Sequence, residues 1–311
     1  MSPYRPYART LAIALLLIPT MNLQAATPPP SVDFESMLDS PFHAGGRLRV
    51  DEYNLVFAPP APVQAQAEVV DASGKVLASH AFFPEYRFTD KAFGRLQVSG
   101  PGEVQLPGPG DYALRFTVNG ARAGELPFTA RTRGSGDAFD GSQTWTYGGP
   151  WSQWGYLILR PYKEIQAVDV VFWTGADDLP AGAQKDGVEA QLLRGGTLVA
   201  QSRRNVGQIS NQHFKREKLS LFHPHEIKNV NPLPFSLADL MVDGKYELRL
   251  SRKGDQARLR SFRLQIRDGK PVAHPRTAFG YTPAHGYIAP RVLQKNVNLY
   301  GFQEAIWMES Q

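Results

Sequence analysis

Between Gly110 and Val118 the chain alternates with a period of two. Tyr112, Leu114, Phe116 and Val118 are apolar, and Ala113, Arg115 and Thr117 fall between them. That is the period of a strand with one face in a core, and it limits the chain to folds built from half-buried sheets. Short apolar runs of this kind recur, separated by 28 Gly and 25 Pro in 311 residues. Such punctuation favours sheets packed on sheets and leaves little room for helices. Only Ser236 to Met241 and Tyr300 to Glu309 are expected to hold short helical turns.

The alternating segment has a second copy. Gly110-Asp111-Tyr112-Ala113-Leu114-Arg115-Phe116 matches Gly244-Lys245-Tyr246-Glu247-Leu248-Arg249-Leu250. Upstream, Ala67 to Ser79 and Ala190 to Ser202 both read as strand, Gly-containing turn, strand. Downstream, each copy runs through a polar hairpin into another strand, Leu126/Phe128/Ala130 in one and Phe262/Leu264/Ile266 in the other. A Gly two residues before a Tyr that opens an inward-facing strand resembles the tyrosine corner of immunoglobulin-like sandwiches. There the phenol bonds backward to main chain. The resemblance implies an all-β chain of two tandem immunoglobulin-like β-sandwich domains with an extended C-terminal tail.

The expected boundaries follow composition. Residues 1–26 carry Arg5 and Arg9, an apolar run from Leu11 to Met21 and a small-residue exit at Ala25-Ala26, the order of a cleavable secretory signal. That core is about half the roughly 20 apolar residues a membrane helix needs. A Pro-rich segment spans 27–40, the first sandwich 41–133, and a small, polar linker 134–142. The second sandwich spans 143–270, with an insertion at 203–235 that makes this copy about a dozen residues longer than the first. Residues 271–311 are rich in Pro, Gly and aromatics and are expected to be irregular and extended, docked on the sandwiches.

The chain has no Cys. An exported protein without disulfides must draw its stability from core burial. Removing Arg5 and Arg9 leaves 32 basic residues against 29 acidic, a net charge of about +3, which argues against a nucleic-acid partner. No G-x-S-x-G elbow, S-x-x-K pair, Walker loop or dinucleotide fingerprint occurs, so no cofactor is expected.

Two segments hold candidate site residues. Trp145, Tyr147 and Trp151 precede an inward-facing strand that begins at Trp154 and Tyr156, and are expected to be exposed as a ligand-binding aromatic platform. In the competing arrangement these rings fill the seam between the domains. In the insertion, His213, His223 and His225 are weak candidates for a metal site. The resulting expectation is an exported, non-catalytic binding or assembly protein of the bacterial cell envelope, periplasmic or extracellular, with an envelope protein or a glycan as partner. A carbohydrate-binding accessory protein is the first alternative, and a hydrolase or metalloenzyme using the 203–235 insertion the second.

Overall fold

A computed structural model describes residues 31–32, 41–56, 63–87, 93–134, 141–203, 207–253, 258–275, 291–296 and 299–310. The signal segment, most of the Pro-rich segment and the centre of the expected linker lie outside these residues. The strands of the first half are β1 (Ser31–Val32), β2 (Phe42–His43), β3 (Arg47–Arg49), β4 (Glu52–Val56), β5 (Ala65–Asp71) and β6 (Val76–Arg87). They continue with β7 (Phe93–Val98), β8 (Glu103–Gln105), β9 (Gly110–Val118), β10 (Ala121–Gly134) and β11 (Gln143–Gly148). The second half holds β12 (Trp154–Tyr162), β13 (Ile165–Thr174), β14 (Lys185–Arg194), β15 (Thr197–Ser202), β16 (Gly207–Ser210) and β17 (His213–Phe222). A single-turn helix α1 (Leu237–Leu240) follows. Then come β18 (Gly244–Arg252), β19 (Arg258–Arg267), β20 (Lys270–Pro271), β21 (Arg291–Asn296) and β22 (Leu299–Glu309).

The protein is all-β with packed sheets. One sheet runs β1-β4-β7-β6-β5-β9-β10-β11; the other runs β20-β19-β18-β14-β15-β17-β13-β12-β22-β21, and β2 joins it through β17. The hairpin between β9 and β10 shows how sequence sets register. Asn119 and Gly120 both take positive φ, 50° and 77°, the two-residue turn whose twist matches antiparallel strands. Leu114 then lies opposite Leu126, and Tyr112 opposite Phe128.

The two copies seen in the sequence occupy equivalent places. The order β6-β5-β9-β10 in one sheet matches β15-β14-β18-β19 in the other. Both tyrosines bond backward: the Tyr112 hydroxyl donates to the Gly108 carbonyl at 2.6 Å, and that of Tyr246 to the Val242 carbonyl at 2.8 Å. Both residues are buried. Tyr112→Phe and Tyr246→Phe should each lower unfolding free energy by about 1 kcal/mol, because each removes one hydrogen bond and leaves a carbonyl without its partner. Urea denaturation measures the loss; no change in either variant would show that the bond contributes nothing.

Between the two halves the structure departs from the expected division. Strand β11, placed by sequence in the second sandwich, pairs with β10 from Gly134↔Gln143 to Thr129↔Gly148. The expected linker therefore joins two strands paired within the first sheet. Strands β12 and β13 are buried on both faces. Leu157, Val168, Val170 and Phe172 belong to one hydrophobic core, while Tyr156, Ile158, Val171 and Trp173 belong to the other. A strand apolar on both faces suits this central position. Arg133 of β10 donates to the carbonyls of Ala176 at 2.9 Å and Leu179 at 3.2 Å, fastening the first sheet to the second half.

Two other expectations need correction. The insertion contains β17, which pairs with β13 along Asp169↔Ser220 to Thr174↔Lys215 and is an interior strand. The segment Tyr300 to Glu309 is not helical: β22 pairs with β12 from Trp154↔Glu309 to Ile158↔Ala305. Residues 299–309 thus complete a sheet instead of lying irregularly on its outside, while 276–290 of the expected tail lie outside the described residues. By contrast, α1 forms where expected, because the Ser236 hydroxyl caps the Asp239 amide and Asp239 reaches back to the Ser236 amide at 2.9 Å.

Candidate functional site

The β14 residues Val188, Ala190 and Leu192 point into the second core, so Glu189 and Gln191 point outward. Gln191 lies opposite Gln201 of β15 and Arg249 of β18. Glu189 lies opposite Ser251, which in turn lies opposite Arg258 of β19. These pairings lay a polar floor across four strands.

The segment between β17 and α1 builds a wall beside that floor. It turns through bonds from the Glu226 amide to the His223 carbonyl at 3.0 Å and from the Asn229 amide to the Glu226 carbonyl at 2.9 Å. It returns to the sheet at Phe235, whose amide donates to the Leu221 carbonyl at 2.9 Å. Arg203, just past β15, holds the wall from below. Its Nη2 donates to the carbonyls of Asn229 at 2.9 Å and Val230 at 2.8 Å, and its guanidinium lies 5.6 Å from the centre of the Phe222 ring.

Floor and wall bound an open cleft of about 930 Å³. Two other cavities among the described residues measure about 380 and 170 Å³. The cleft is at the upper end of the range for small-molecule sites, roughly 300–1,000 Å³. Among the described residues, Arg203, Lys228, Arg249 and Arg258 line it against one carboxylate, Glu189, and no aromatic ring does. Beside it, Glu247 accepts from Arg249 at 2.8 Å and from Arg258 at 2.7 Å. The Arg249 hydrogen bond holds the Glu247 carboxyl below the usual carboxylate range. Lys228, on the wall, is exposed.

The aromatic segment has a different place. Trp151 is fully buried. Its ring stacks on Phe42 at 5.4 Å and takes the edge of Phe214 at 4.8 Å, and its Nε1 donates to the Pro127 carbonyl at 2.9 Å. A Cβ at position 149 would stand 2.4 Å from that Nε1, so only Gly149 allows the approach. Tyr147 is buried against Phe42, and its hydroxyl donates to the His43 carbonyl at 2.7 Å. Burial pushes this phenol well above its ordinary pKa. Trp145 is half-buried, stacked at 6.4 Å on Tyr147. The expected exposure of these rings is therefore corrected: they fill the seam where β2 and β17 meet the first sheet, and no open platform forms.

No family model, curated protein or solved structure matches the chain.

The three histidines do not come together. His213 opens β17 opposite His43, with ring centres 6.2 Å apart. His223 follows the far end of the same strand, about 30 Å away at 3.3 Å per residue. His223 and His225 are neighbours, ring centres 5.6 Å apart, but each turns to a carboxylate: Asp239 at 3.2 Å and Glu226 at 3.6 Å. Among the described residues no three potential ligands converge. Sequence reading singled out neither Lys228 nor the outward arginines of β18 and β19. The available signal was the polar half of each alternating strand, set beside the long 203–235 segment.

Proposed function

We propose that this chain is an exported, non-catalytic binding protein of the cell envelope. In this reading it is built from two immunoglobulin-like sandwiches that share a wall, and it takes its ligand in the cleft over β14, β15, β18 and β19. The observation that carries the reading is the cleft itself, large, polar and walled by a segment that the first copy lacks. Extra segments on a repeated scaffold are common carriers of function. The matching strand order and the two backward-bonded tyrosines support the immunoglobulin-like part of the proposal. The signal-like residues 1–26 support export to the periplasm or beyond.

Binding is favoured over hydrolysis by the carboxylates at hand. A glycoside hydrolase needs a carboxyl with a raised pKa facing a second one. Glu247 is instead kept ionised by two guanidinium groups, and Glu189 is the one carboxylate lining the cleft among the described residues.

A glycan array prepared from bacterial envelope polysaccharides tests the proposal, with Gln191→Trp as the blocked variant. The wild-type protein should bind, and the indole on the cleft floor should weaken binding at least tenfold without changing the melting midpoint. Binding untouched by Gln191→Trp would place the site elsewhere. Release of reducing ends from a bound glycan would make the protein an enzyme.

A further inference from the structure

We infer that the cleft selects an oligosaccharide carrying carboxylate or phosphate groups; the inference rests on the cleft being the binding site. The charge comes from the four cations that line it against Glu189. Arg249 and Arg258 share Glu247 through one Nη2 each, and Arg203 spends its Nη2 on the wall. Lys228 on the wall and Arg258 on the floor both stand exposed to an incoming ligand. Four cations against Glu189 and the adjoining Glu247 leave a net charge of about +2 among the described residues, and a cleft with an excess of one sign concentrates ligands of the other.

The remaining chemistry distinguishes a sugar from other anions. Gln191, Gln201 and Ser251 offer amide and hydroxyl groups that both donate and accept, as a hydroxyl-rich ligand requires. An acidic peptide would need apolar pockets for side-chain anchors or a free sheet edge for its backbone. The floor is a sheet face, not an edge, because β14 is paired on both sides along Gln191. The described residues of the lining include no aromatic ring, so they provide no stacking surface for nucleobases or for the faces of neutral sugars.

Titration calorimetry at low salt tests this with tetragalacturonate and phosphorylated maltotetraose. Each is set beside its uncharged counterpart, the methyl ester and plain maltotetraose, with tetraglutamate as the peptide probe. At least one charged sugar should bind ten times or more tightly than its uncharged counterpart and than tetraglutamate. Lys228→Glu should weaken that binding at least tenfold with an unchanged melting midpoint, and 0.5 M salt should weaken it as well. Equal binding of the uncharged counterpart, or of tetraglutamate, would overturn the inference in favour of a neutral glycan or an acidic peptide. If no probe binds while envelope glycans still bind in a Gln191→Trp-sensitive way, the cleft stands and the anionic class falls. If Gln191→Trp alters no binding at all, both fall.

Discussion

Trp151→Ala should destabilise the protein by about 3–5 kcal/mol, the range for removing a buried aromatic side chain that the surroundings cannot collapse to fill. The ring is 0 % exposed and is gripped from two directions. Phe42 of β2 lies parallel to it and Phe214 of β17 meets it edge-on. Those two strands are themselves paired, through Phe214↔Phe42, so relaxation to fill the void would have to break a sheet. The substitution also strips the Pro127 carbonyl of its Nε1 donor, which adds the cost of an unsatisfied buried acceptor. The first sheet should loosen against the second, because Pro127 belongs to β10 and the rings around Trp151 belong to β2 and β17. Urea denaturation followed by far-ultraviolet circular dichroism measures the loss. A change below about 1 kcal/mol would mean that the seam is not packed as described. Trp151→Phe keeps an aromatic ring and should cost less than the Ala variant.

The sequence made local structure legible and non-local pairing illegible. The Asn119-Gly120 turn, the strands either side of Gly195-Gly196 and the two tyrosine segments each carry their signal within about ten residues, and all appear where expected. The two-faced burial of β13 is likewise written locally, in the unbroken run Val170-Val171-Phe172-Trp173. What failed was the choice of partner. Gln143 to Gly148 lies past a polar segment and reads as the start of a new domain, yet β11 pairs with β10 along six positions. Trp145 and Tyr147 alternate with Thr144 and Thr146 on β11, but that period does not say what covers them or Trp151. Their burial depends on Phe42 and Phe214, which are far away in sequence and adjacent only once β2 meets β17.

The candidate site was illegible for the same reason. Gln191, Lys228, Arg249 and Arg258 are spread over a strand, a loop and two further strands, and share no fixed spacing of the kind that marks a phosphate loop or a zinc site. Outward polar residues on alternating strands are by default solvated faces. Only the wall fastened by Arg203 turns this one into a cleft. The insertion drew notice for its histidines, yet β17 holds His213 far from the neighbouring pair His223 and His225.

Ending the chain at Asn298, and so removing β22, should prevent accumulation of folded protein. The deletion exposes the β12 edge along Trp154 to Ile158, an invitation to intermolecular pairing. It also takes one buried side chain from each core: Trp307, 4 % exposed, from the first and Met308, 1 % exposed, from the second. Losses of about 3–5 kcal/mol for the Trp and about 2–5 for the Met approach the whole stability of an ordinary protein, roughly 5–15 kcal/mol. Trp307 packs on Tyr156 at 4.6 Å and on Trp173 at 6.5 Å, so its removal uncovers two more large rings. The truncated chain should be recovered in the insoluble fraction, or lack a cooperative thermal transition. A peptide of residues 299–311 supplied during refolding should restore soluble, cooperatively melting protein, since the missing segment makes its contacts through β12, through β21 from Arg291↔Glu304 to Asn296↔Leu299, and through Ser310, whose amide donates to the Gln153 carbonyl at 2.9 Å. A truncated chain that melts within a few degrees of the wild type would show that β22 is an appendage, and that both cores close without it.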